Sequence, residues 1–150
     1  MRFFVDLFSN KMLISAILGW FAAQFLKVVF VMIFEKKIDL RRFIGSGGMP
    51  SSHSAFVIAL TTAVGYETGL RSAEFAICVV VAFVVMYDAS GVRRAAGKQA
   101  KILNKIIENF GNENLEVTGE RLKELIGHTP FEVFAGAILG ILSAALIYML

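Results

Sequence analysis

Four apolar stretches divide the chain, and most of its charges fall in the connections between them. Met12 to Phe34 is the first, with a single charge at Lys27. It exceeds the roughly 20 apolar residues that cross a hydrocarbon core about 30 Å thick. Ser54 to Leu70 is the second; its length is marginal, and Thr61, Thr62 and Gly65 interrupt it, so it is expected to be shielded by its neighbours. Ala73 to Tyr87 is the third, with a β-branched centre and Asp88 at its end; Phe131 to Leu150 is the fourth.

Two further segments are apolar on one side only. Phe3, Phe4, Leu7 and Phe8 put an apolar face on residues 1–10, which suits a short interfacial segment. Ile102, Leu103, Ile106, Ile107 and Phe110 recur at helical spacing beside Lys98, Lys101 and Lys105, which predicts an amphipathic helix on a membrane surface. Gly111 to Val117 reads as a polar loop, the segment expected to move most, and Gly119 to Ile126 as a short helix. The pattern therefore predicts an all-α fold: one polytopic membrane helix bundle over residues 1–150, with about four transmembrane helices and a cytoplasmic amphipathic helix.

Composition agrees. The chain is 57% hydrophobic with a mean hydropathy of +0.69, beyond a soluble domain. A net charge of +3 whose cations flank apolar spans points to membrane lipids and anionic head groups as partners, and away from nucleic acid. The lone Cys78 lies in an apolar run and has no partner for an intramolecular disulfide. No small-residue cleavage site follows the N-terminal apolar residues, so that segment is expected to be retained.

Lys36, Lys37, Arg41 and Arg42 fall in the first connection, and Arg93, Arg94, Lys98, Lys101, Lys105, Arg121 and Lys123 in the third, against Arg71 alone in the second. Four spans with this bias put the first and third connections in the cytoplasm. The expected location is the plasma membrane of a prokaryote, with the candidate site on the cytoplasmic face.

Both histidines fall on that side, His53 opening the second span and His128 opening the fourth. His53 lies in Gly45-Ser46-Gly47-Gly48-Met49-Pro50-Ser51-Ser52-His53-Ser54. Lys27, Arg41, Arg42, Asp88, Arg93, Arg94 and Lys98 gather around the two rings. Two imidazoles, several cations and hydroxyls at a helix start suit phosphoryl transfer: cations neutralise the moving oxygens, one ring attacks and the other gives a proton. Plainer roles compete. Ser51 or Ser52 could serve as an N-cap. Thr129-Pro130-Phe131-Glu132 fits a capping box in which Glu132 bonds only backbone. Asp88 could pair with Arg93 or Arg94, Lys27 could snorkel, and Arg41 and Arg42 could only set topology.

Pro50-Ser51-Ser52-His53 resembles the Pro-Ser-Gly-His motif of the phosphatidic acid phosphatase type 2 superfamily, which includes the vanadium haloperoxidases. Gly127-His128-Thr129-Pro130-Phe131-Glu132-Val133 resembles its third motif. With Asp88-Ala89-Ser90-Gly91-Val92-Arg93-Arg94-Ala95-Ala96-Gly97-Lys98 between them, the chain from about Leu18 on resembles the small divergent branch of that superfamily.

The resemblance implies hydrolysis of a lipid phosphate or isoprenoid (di)phosphate, with no metal or other cofactor. His128 would form a phosphohistidine, Glu132 would orient its ring, and His53 would protonate the leaving group. Ser51, Ser52 and the cations would hold the phosphate. The superfamily's first motif, Lys then six residues then Arg-Pro, is missing, and Lys27 with Arg41 or Arg42 is its nearest substitute. The arginine expected six residues before the second histidine is Leu122 here; Arg121, Lys123, Arg93 or Arg94 could replace it. Without them the alternative is a membrane protein that binds an anionic lipid or phosphate and does no chemistry. Gly136, Gly140 and Ala144 form a small-residue face for packing within one chain or, in a homo-oligomer, between two.

Overall fold

A computed structural model of the chain describes residues 2–36, 47–110, 122 and 127–150. The expected loop at 111–117 lies outside these residues, as do Arg41, Arg42, Arg121 and Lys123 and, Leu122 excepted, the expected short helix at 119–126. Among the described residues six helices follow in order: α1 (Arg2–Phe8), α2 (Lys11–Glu35), α3 (Ser52–Thr68), α4 (Ala73–Ser90), α5 (Val92–Phe110) and α6 (Pro130–Met149). There is no strand among the described residues.

Local chemistry explains most of the boundaries. Asn10, Ser51, Ser72 and Thr129 each cap a helix by accepting a backbone N–H three residues on. Pro130 follows its cap at the first helical position, where a missing N–H costs nothing. Gly91 separates α4 from α5. The third span thus runs three residues past Tyr87, and the amphipathic helix starts at Val92, six residues before Lys98. The reason is that Gly91 interrupts the helix for a single residue, so the charged run 88–98 is helical on both sides of it.

Among the described residues, three segments are long and apolar enough to cross a membrane: 11–34, 73–108 (α4 with α5) and 130–149. The chain is an integral membrane protein built as an all-α bundle. The remaining expected span, the second (α3), has 17 residues, about 25 Å at 1.5 Å each and short of the 30 Å core. It is instead the helix that α2, α4 and α6 all pack against. Ala55, Ala59 and Ala63 are wholly buried on it. A Cβ added at Gly19 of α2 would lie 2.9 Å from the Ala55 carbonyl oxygen, and one at Gly140 of α6 would lie 2.6 Å from the same atom. Small residues therefore let two neighbours approach the α3 backbone, and Ser52, Ser54 and Thr61 are buried against them.

The outward faces of α2, α4 and α6 are apolar, with Phe25, Val80, Phe83, Ile138 and Leu142 exposed. At one end of the bundle Tyr148 stacks on Tyr66, donates to Glu67 Oε2 at 3.0 Å and lies beneath Lys11 Nζ. The two histidines lie at the opposite end, at the starts of α3 and α6.

Candidate functional site

The local structure around His53 follows from the two glycines before it. Gly47 and Gly48 have φ of 109° and 81°, backbone that side-chain-bearing residues rarely adopt. They turn the chain into α3, where Ser51 is the N-cap. Its Oγ accepts from the Ser54 amide at 3.4 Å and from Ser54 Oγ at 3.1 Å. The Ser51 amide donates to the Glu132 carbonyl at 3.0 Å. An anion at this helix start would therefore meet the remaining amides, those of Ser52 and His53.

Tertiary contacts bring the second half of the site to the first. The His128 amide donates to the Ala89 carbonyl at 2.9 Å. A Cβ at Gly127 would lie 2.3 Å from the Arg94 backbone, and one at Gly136 would lie 2.3 Å from the Ser51 carbonyl oxygen. Close backbone contact thus holds the start of α6 against both α3 and the α4–α5 junction. The result is a pair of imidazoles, 75 residues apart in sequence (128 − 53), with ring centroids 5.9 Å apart and planes crossing at 66°.

His128 is 1% exposed. Its Nδ1 lies 3.2 Å from Glu132 Oε2, and its Nε2 is buried and makes no well-formed hydrogen bond among the described residues, although the Gly48 backbone is close enough to act on the ring. Burial lowers the ring's pKa from 6.5; the bond to Glu132 opposes that shift. The ring is therefore held neutral near pH 7. With Nδ1–H donated to the carboxylate, Nε2 is the ring nitrogen that carries the lone pair. Glu132 does both things the sequence offered as alternatives: the same Oε2 accepts the Thr129 amide at 2.9 Å, completing a capping box, and faces His128.

Lys27 is 3% exposed and does not snorkel. Its Nζ donates to Gln24 Oε1 at 2.9 Å and to Ser52 Oγ at 3.1 Å. No carboxylate touches it among the described residues, although Glu132 is near enough to act on it. A buried ammonium without a contacting anion is costly.

Of the cations on α5, Arg93 is the one whose charge reaches His53, along with Lys27. Its Nε is bonded to Asp88 Oδ2. Arg94 and Lys98 are exposed along α5, and no hydrogen bond or ion pair among the described residues ties their side chains to the histidines. Leu122, where an arginine was expected, exposes its side chain, and the buried Asn104 bonds both its N and its O, at 3.0 and 2.9 Å. Sequence reasoning missed Gln24 and Asn104. The available signal for Gln24 was its position three residues before Lys27 on one helix face.

A membrane helix bundle with two apposed imidazoles over a buried lysine is the class that fold and site define. The chain matches the divergent PAP2 family over residues 8–143 and belongs to it. It is 42% identical over 148 residues to YuiD of Bacillus subtilis (strain 168), described as an uncharacterized membrane protein, covering 92% of this chain and 94% of that one. No solved structure matches it.

Proposed function

We propose that the chain is a phosphatase for a lipid phosphate or isoprenoid (di)phosphate, working at the cytoplasmic face through a phosphohistidine. The observation that carries this reading is the apposition of His53 and the buried Nε2 of His128 beside Lys27.

In the first step Nε2 of neutral His128 attacks phosphorus. The bond from phosphorus to the ester oxygen breaks, and protonated His53 gives that oxygen its proton. The substrate's own negative charge favours the protonated form of His53. Glu132 holds the proton on Nδ1 and stabilises the ring as it becomes cationic. In the second step water attacks phosphorus, His53 takes a proton from it, and the phosphorus–nitrogen bond breaks to free phosphate and His128. Lys27, Ser52 and Arg93 neutralise or donate to the phosphoryl oxygens throughout.

Leu122 at the expected arginine position favours a second reading, in which the pocket binds an anionic lipid and leaves it intact. Phosphate release from a panel of lipid phosphates separates the two. The wild type should release phosphate, and His128→Ala and His53→Ala should fall to background. Equal release by all three sinks the enzyme reading.

A further inference from the structure

We propose that the groove walled by Trp20, Phe56, Val57 and Val85 receives the apolar chain of a lipid phosphate whose head group lies at Lys27, Ser52 and His53. The inference rests on the anion-binding half of the reading above and not on its hydrolytic half.

The groove is a cavity of about 450 Å³ bounded by α2, α3 and α4, within the roughly 300–1,000 Å³ of ordinary ligand sites. Its polar lining, Ser52 and His53, stands at the start of α3, and Phe56 and Val57 follow one turn further along the helix. Trp20 lies seven residues before Lys27 on α2, about 10 Å along the axis. It is the tenth of the 25 residues of α2, so the groove runs from the polar centre toward the middle of the bilayer.

A second cavity, of about 330 Å³, starts at Lys27, whose Nζ bonds the Ser52 hydroxyl of the groove lining, and runs the other way, past Phe30, Val31 and Phe34 to Gly47–Met49 at the helix end. A soluble phosphate entering from the membrane surface would use the second cavity alone. The deeper one, reaching toward mid-bilayer, is accounted for by a ligand carrying its own hydrocarbon: charge at Lys27, chain against Trp20. Trp20 is also 38% exposed, so the groove wall borders bulk lipid, and a chain can enter sideways from the bilayer.

Trp20 is the chain's one tryptophan, so its fluorescence reports this groove alone. The full-length protein is placed in phosphatidylcholine nanodiscs containing a small fraction of lipid brominated in mid-chain. The brominated lipid is either phosphatidylcholine or a phosphonate analogue of phosphatidic acid that turnover cannot consume. The expected result is about fivefold stronger quenching by the phosphonate at equal mole fraction, the preference that one cation–headgroup contact supports. Unbrominated phosphatidic acid should relieve it and unbrominated phosphatidylcholine should not, a competition that needs no variant. Lys27→Met should reduce quenching to the phosphatidylcholine level.

Equal quenching by the two lipids in the wild type overturns the proposal, as does saturable binding of inorganic phosphate without lipid-selective quenching. Selective quenching without phosphate release would sink the hydrolase and leave the chain site standing. Hydrolysis of a soluble phosphomonoester without selective quenching would do the reverse.

Discussion

Gly136→Ala tests the contact that assembles the site. The added Cβ would lie 2.3 Å from the Ser51 carbonyl oxygen, 3.0 Å from Ser54 Cβ and 3.1 Å from Ser51 C. A backbone oxygen cannot rotate aside, so α6 must move off α3. Ordinary contact begins near 3.4 Å, and the displacement is 3.4 − 2.3 = 1.1 Å. The Ser51 amide bond to the Glu132 carbonyl, one turn away on α6, is 3.0 Å long and would not survive that shift.

Overpacking costs about 1–3 kcal/mol and the lost bond about 1 kcal/mol more. The sum, about 2–4 kcal/mol, lowers the folded-to-unfolded ratio about 30- to 1,000-fold. The assay is denaturation in detergent micelles followed by circular dichroism, with phosphate release measured on the folded fraction. A shift near 1 Å between the histidines should cost up to about 10²-fold in turnover. Gly140→Ala, whose Cβ would meet the Ala55 oxygen at 2.6 Å, should lose comparable stability but less activity, being a turn further from Glu132. A Gly136→Ala midpoint equal to that of the wild type would refute the claim that this close approach holds α6 in place.

Three other outcomes are expected. Glu132→Gln preserves the capping box but removes the charge facing His128, so the unfolding midpoint should hold while phosphate release drops about 10²-fold or more; Glu132→Ala should lose about 1 kcal/mol of stability as well. Lys27→Met removes a buried cation with no contacting carboxylate, so stability should stay within about 1 kcal/mol of wild type or rise while turnover falls; strong destabilisation would show that the lysine is structural. His128 has a folded pKa below its unfolded value of 6.5, so the unfolded chain binds more protons in that window; stability should fall as pH drops through 6.5 and recover above it, and His128→Gln should flatten that slope in pH-resolved melts.

The apolar spans were legible because lipid demands long uninterrupted runs: α2 and α6 begin and end within one residue of the expected positions. The start of α3 was placed at Ser54 and falls at Ser52, since several serines compete for the cap and only the structure shows Ser51 taking it. The small-residue face of α6 was visible, but its partner was not. Gly136 and Gly140 close on α3 of the same chain, a fact set by backbone approach and not by pattern. The histidine pair was legible from shared sidedness. The choice among Arg93, Arg94 and Lys98 was not, because it depends on how Gly91 redirects the helix that carries all three.

The polar centre also dictates an order of events during synthesis. Lys27, Gln24, Ser52 and His53 leave the ribosome with the first half of the chain; His128, Glu132 and the glycines that press on α3 come with the last helix. Before α6 inserts, the Ser51 amide has no Glu132 carbonyl to meet, and Lys27 lies in the bilayer without the Glu132 carboxylate near it. On the proposed function, a nascent chain lacks a whole site until α6 is in place, and activity would report on finished assembly. The same logic makes the protein divisible. Cut between Phe110 and Gly127, it yields two pieces, each holding one histidine, and pairing them in one membrane is what would restore the site.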